Sequence, residues 1–189
     1  RIHRDLQAED QISFARVTRE FPDTLRIDLQ ERQPILVLRL GSKDGKVRDW
    51  LVSGDGTLYL GTGYPRSTLS LLPSLDVDSS LVRPRKEGEG YERLVGIPRV
   101  APLLELVRRE YPGIYRDWQV VSYERPDEDD PGAHVSVRSG KVRKLRFSPG
   151  NYPVQMRRLH YLLLEPDVRR KPVIESIDLS HGRSVFAKI

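Results

Sequence analysis

Ser180-His181-Gly182-Arg183-Ser184 sets a serine beside a histidine, with Asp178 two residues upstream, the residue types of a nucleophile, a base and an orienting acid. Neighbours on a strand point to opposite faces, so Ser180 and His181 do not share a proton there, and no glycine-flanked nucleophile elbow is present. We read the stretch as a strand end without hydrolase chemistry. Asp127-Glu128-Asp129-Asp130 gathers carboxylates of the kind calcium takes. It lacks the alternating ligand spacing and the glycine of a calcium loop, and Pro131 stiffens its end, so it reads as a solvated charge run. His3, His134, His160 and His181 show no paired metal spacing and no cysteine can assist them, so no metal and no cofactor is expected. Gly61-Thr62-Gly63 lacks the further glycine and the helix of a phosphate loop and reads as a turn.

Arg138, Lys141, Arg143, Lys144 and Arg146 make a basic hairpin, and Arg157, Arg158, Arg169, Arg170 and Lys171 follow it. Phosphate binding needs such a patch, but a single-strand stacking platform also needs interleaved aromatics, which these strands lack. A solvated face, or one that meets an acidic partner segment, fits better than nucleic acid. The totals agree: 32 Lys+Arg against 27 Asp+Glu leave +5 over 189 residues, a mild excess. With no cysteine, disulfides and thiolate metal sites are excluded. The longest apolar runs, Ile35-Leu36-Val37-Leu38 and Tyr161-Leu162-Leu163-Leu164, are far below the ~20 residues of a membrane span. The chain begins at Arg1 rather than Met, which is the expectation for a fragment with upstream sequence.

The elements that position these residues are mostly strands. Ile12 to Arg19 reads as a strand; the turn Phe21-Pro22-Asp23-Thr24 then leads into a strict alternation in which Leu25, Ile27 and Leu29 share one face, predicting a half-buried strand. Ile35–Leu40 and Val47–Val52 form the next pair, with Trp50 as a core or face aromatic, and Thr57–Leu60 follows the Gly54-Asp55-Gly56 turn. Residues 83–92 read as a solvated loop. A helix starting near Pro98 places Val100, Leu103, Leu104, Val107 and Tyr111 on one face and ends at Pro112-Gly113. Tyr115–Tyr123 is expected extended, Ala133–Arg138 and Lys141–Phe147 a hairpin across Ser139-Gly140. A second helix from Pro153 turns Met156, Leu159 and Leu163 inward and leaves Arg157 and Arg158 outside, and Ile174–Ser180 and Arg183–Ile189 close the chain around Gly182. The residues thus give an α+β body with a mixed or antiparallel β-sheet, two amphipathic helices and no catalytic cluster. Such a body suits an interaction module, and an exposed sheet edge at the C-terminal strand is where a partner strand would add.

Four signatures occur in order: the Phe21-Pro22-Asp23 turn with Leu25-x-Ile27-x-Leu29 and Glu31-Arg32-Gln33-Pro34; Leu51-Val52-Ser53-Gly54-Asp55-Gly56-Thr57-Leu58-Tyr59; Leu72-Pro73-Ser74-Leu75; and Ile177-Asp178-Leu179 followed by Gly182. Together they resemble the FtsQ/DivIB family of bacterial cell-division proteins, with Ser53 in place of the usual acid and Tyr59 in place of the usual Phe. The resemblance implies a truncated C-terminal part of a POTRA domain over residues 1–34 and an FtsQ/DivIB-type β domain over 35–189.

It also implies a non-enzymatic divisome scaffold of the cell inner membrane, held by an upstream transmembrane helix with this part extracytoplasmic at the septum. Its partners would be FtsB/DivIC-like and FtsL-like proteins, one of which adds a strand alongside the last strand. Carried over by the terminal motif, the partner-binding residues are Ile177, Asp178, Leu179, His181, Gly182, Arg183, Ser184, Val185, Phe186 and Lys188. Asp178 and Leu179 would hold the hairpin, and the main chain of Ser184, Val185 and Phe186 would pair. Ser180 and His181 stand where many members carry Arg and a Tyr-like residue, so side-chain contacts differ there. Arg125 is a further candidate for a charged contact with a partner helix. A second reading is a POTRA-linked chaperone or secretion component that binds unfolded outer-membrane clients.

Overall fold

Short β-prone runs punctuated by glycine and proline, with two longer helical periodicities between them, build a sheet that buries one face under helices. The computed structural model of the chain describes residues 6, 8–41, 45–123, 134–182 and 184–188. In order these form β1 (Ile12–Glu20), β2 (Thr24–Glu31), β3 (Pro34–Gly41), β4 (Val47–Ser53), β5 (Leu58–Tyr59), α1 (Arg66–Leu69), β6 (Ser74–Asp76), α2 (Ile97–Glu110), α3 (Pro112–Tyr115), β7 (Trp118–Tyr123), β8 (Val135–Ser139), β9 (Val142–Phe147), α4 (Tyr152–Leu164), α5 (Pro166–Arg170), β10 (Ile174–Asp178) and β11 (Phe186–Lys188). Strands β3 to β11 make a nine-stranded sheet in the order β11-β10-β9-β8-β7-β6-β3-β4-β5. It is mixed: β6 runs parallel to β3 and β7, and β10 runs parallel to β9 across the α4 connection, while the other pairs are antiparallel. The α+β class and the mixed sheet are as expected.

The register is set by a row of apolar partners, Val121↔Val137, Val137↔Leu145 and Leu145↔Ile177, all essentially inaccessible. Helix α2 contributes Ile97, Val100, Leu103, Leu104 and Val107 to the same core, and α4 contributes Met156 and Leu159. Each such side chain taken from water supplies roughly 1.5–3 kcal/mol. Three local expectations need correction. Tyr115 ends α3, a single turn begun at Pro112, so extended chain starts only at Trp118. Leu163 is half-buried against the core rather than within it. Residues 83–92 are not simply solvated: Pro84 bridges to Tyr91, whose ring meets Trp50 edge-on at 5.0 Å.

The larger correction concerns β1 and β2. They form a two-stranded sheet of their own, in which Ala15↔Leu29, Val17↔Ile27 and Arg19↔Leu25 share a face. Leu25, Ile27 and Leu29 were expected half-buried; they are 47%, 43% and 51% exposed. Alternation defined the face correctly, but among the described residues it is the base of the hairpin that engages the large sheet. There, Arg32 donates to the Asp10 carbonyl (2.8 Å) and to the Asp55 carboxylate (2.6 Å), and its own carbonyl accepts from Tyr64 Oη (2.6 Å) and Tyr59 Oη (3.2 Å). Gln11 exchanges hydrogen bonds with Thr62 through Nε2 (2.9 Å) and Oε1 (3.0 Å), and Arg85 reaches Asp10 at 2.6 Å. Burial pushes the Asp55 carboxyl up, yet hydrogen bonds from Ser53 and Thr57 and the charge of Arg32 outweigh it and hold it at about 2.

Gly56 closes this knot. Its φ is +83°, its carbonyl accepts from Leu94 N–H (2.9 Å), and a Cβ there would lie 2.3 Å from the Leu94 carbonyl oxygen. Gly45 has a similar φ of +76° with open space around it. Gly56→Ala is therefore expected to cost about 2–4 kcal/mol in urea unfolding, against about 1 kcal/mol for Gly45→Ala, which carries the backbone penalty alone.

Candidate partner-docking edge

The two ends of the large sheet differ. At one end β5 is two residues long, both are buried, and Tyr59 is tied into the Arg32 knot. At the other end all three residues of β11 are exposed. β11 pairs with β10 through Ser176↔Lys188, Ile177↔Ala187 and Asp178↔Phe186, which leaves its outer side as a sheet edge among the described residues. An edge strand presents main-chain donors and acceptors that another strand can pair with.

Most of the residues expected from the sequence meet here, in different roles. Ile177 and Leu179 are core residues; Leu179 N–H also donates to the Arg146 carbonyl at 2.9 Å, so both hold the edge from inside. Asp178 organises the turn. Its Oδ1 accepts from Ser180 N–H (2.9 Å) and Ser180 Oγ (2.6 Å), and its Oδ2 lies 3.5 Å from Arg146 and 3.9 Å from His181 Nε2. Burial pushes this carboxyl up, but the Ser180 hydrogen bonds and the charges of Arg146 and His181 win and lower its pKa below the ordinary Asp range. The Ser180 hydroxyl proton thus points to the carboxylate, and the His181 ring packs edge-on against Phe186 at 4.9 Å. Serine, histidine and aspartate are assembled as a turn and not as a proton relay.

Val185 is half-buried against the core, while Ser184 and Phe186 are exposed. Lys188 Nζ bonds Glu175 Oε1 at 2.9 Å and ties β11 to β10. The Gly182 carbonyl accepts from Arg158 Nη2 at 2.7 Å and the His181 carbonyl from Nη1 at 3.3 Å. Arg158 stands outside the core as expected, and from there it straps the β10–β11 connection to α4. The signal available in the sequence is its place beside the Met156/Leu159 stripe, from where a long cationic side chain can reach sideways. Arg183 and Arg125, and the acidic run 127–130, lie outside the described residues.

Among the described residues no group of three or more His, Asp or Glu is placed to hold a metal, and no helix is long and apolar enough to cross a membrane. Compared with known proteins, the chain matches no family model and no curated protein.

Arg158→Ala should speed amide exchange over residues 181–188 by about tenfold, equivalent to about 1.4 kcal/mol for two charge-assisted bonds at a half-exposed site, with α2 unaffected. Because the folded pKa of Asp178 is lowered, its contribution to stability is complete above the unfolded value of about 3.9 and fades as pH falls through the folded value. Asp178→Asn should flatten the acid limb of a stability–pH curve; an unchanged slope would show that the carboxylate does not hold the turn.

Proposed function

We propose that the chain is a non-enzymatic assembly module that receives a partner's strand along the outer side of β11. The observation that carries this is the asymmetry of the sheet: one end is short, buried and knotted, and the other is a tethered, exposed edge held from behind by Asp178, Arg158 and Glu175. Main-chain pairing supplies affinity in such contacts, and alternate side chains supply selectivity. Phe186, 59% exposed and braced by His181, is the apolar anchor.

The finer reading is an FtsQ/DivIB-like divisome scaffold. It is supported by the four ordered signatures, by the place of Arg32 from Glu31-Arg32-Gln33-Pro34 at the junction of the hairpin with the large sheet, and by the terminal Ile177-Asp178-Leu179 motif behind the edge strand. In this reading residues 1–34 are the end of a POTRA domain and the rest is the β domain. The partners are FtsB/DivIC-like and FtsL-like proteins, and the chain works extracytoplasmically at the septum, on an inner-membrane anchor.

Calorimetric titration with the extracytoplasmic C-terminal segment of the cognate FtsB/DivIC-like protein tests both levels. Wild-type chain is expected to bind saturably, and Phe186→Asp to weaken binding by at least tenfold with an unchanged circular dichroism spectrum. Equal affinity of the folded Phe186→Asp variant would remove the strand-addition model.

A further inference from the structure

A cleft opens on the helix side of the sheet. It has a volume of about 390 Å³ and lies between α3, α4 and the turn that joins β8 to β9. Pockets that hold small molecules run from roughly 300 to 1,000 Å³. Trp118, Val142, Leu145 and Leu159 line it, each at most 4% exposed, and half-buried Ile114 and Leu163 stand nearer solvent. Exposed Gly113 completes the rim, and a Cβ added there would meet no atom within 4 Å.

Asp117, Ser139 and Lys141 also line the cleft, and each is engaged within the fold. Asp117 Oδ2 accepts from Lys141 N–H at 2.8 Å, and Oδ1 lies against Gly140, where a Cβ would approach it to 2.5 Å. The Lys141 ammonium donates to the carbonyls of Arg169 (3.1 Å) and Lys171. Ser139 Oγ donates to the Val142 carbonyl at 3.3 Å and accepts from Val142 N–H at 2.9 Å. One cation and one anion cancel, and both are committed to main-chain groups. A buried donor is left over: the Trp118 Nε1–H has no acceptor among the described residues, and the ring packs against Tyr115 and Phe147.

We propose that this cleft binds a compact, uncharged ring compound of the size of a substituted benzene. Apolar cavities walled by such side chains take small aromatic molecules, because a ring restores the contacts that an empty void forfeits. A charged analogue would shed its hydration with no free counter-ion to replace it. No lining residue belongs to β10 or β11, so the site stands whether or not a strand adds at the edge.

The chain has two tryptophans, so a ¹⁵N spectrum carries two indole resonances, and Trp50→Phe assigns that of Trp118. Titration with acetophenone is expected to move the Trp118 Nε1–H and the amides of Ile114, Ser139 and Lys141 saturably, with those of Phe186–Lys188 unmoved. Benzoate and benzylammonium should bind about tenfold more weakly. Gly113→Leu, which adds a side chain in open space at the rim, and Leu163→Phe, which narrows the cleft, should each weaken acetophenone by about fivefold with the circular dichroism spectrum unchanged. A still Trp118 resonance, equal binding of the charged analogues, or undiminished binding by both folded variants would overturn the proposal.

Discussion

Everything in this chain hangs on one-sided burial along the row Val121, Val137, Leu145 and Ile177. Strand side chains alternate, so a slip of one residue in any of these ladders would turn a whole strand inside out and drive Arg138, Lys144 or Asp178 into the core. That cost locks four strands in register. It also decides what the other face shows, because every outward residue is fixed once its inward neighbour is. The outward placing of Arg138 and Lys144 and the Asp178 turn are consequences of the same row.

Polar contacts secure both ends of the sheet, one of them buried at β5 and the other exposed at β11. At the β5 end the Arg32 guanidinium, its side chain 14% exposed, joins the Asp10 carbonyl to Asp55. At the β11 end Arg158 and Asp178 secure a connection that is largely solvent-facing. Exposed ion pairs contribute at most about 1 kcal/mol, whereas charge-assisted bonds in a sheltered site are worth more. Arg32 therefore anchors its end firmly, while the strap at β11 is the looser of the two.

The parts of the fold legible in the sequence are those where periodicity and burial coincide. Val100, Leu103, Leu104 and Val107 announced α2, and Val135 and Val137 announced β8, because one element face and the core were the same thing. Leu25, Ile27 and Leu29 carried an equally clear alternation, yet alternation states which side chains share a face and not whether anything covers it. Tyr115 reads as extended because its aromatic character favours strands, whereas Pro112 sets a helical turn that runs through it. The edge site was half legible: the Asp178 turn is local, with its partner Ser180 two residues on. Arg158 to Gly182 and Arg32 to Asp55 join residues more than twenty apart, and no local pattern encodes such reach.

The two unlike ends of the sheet have a further consequence in orientation. Neighbouring strands are rotated by roughly 20–25°, so the eight steps from β5 to β11 accumulate to about half a turn, over a span of about 38 Å. An object fixed to the exposed hairpin and one paired to β11 would therefore leave the molecule along widely different headings. For two such neighbours the sheet would be a twisted spacer that sets the angle between them.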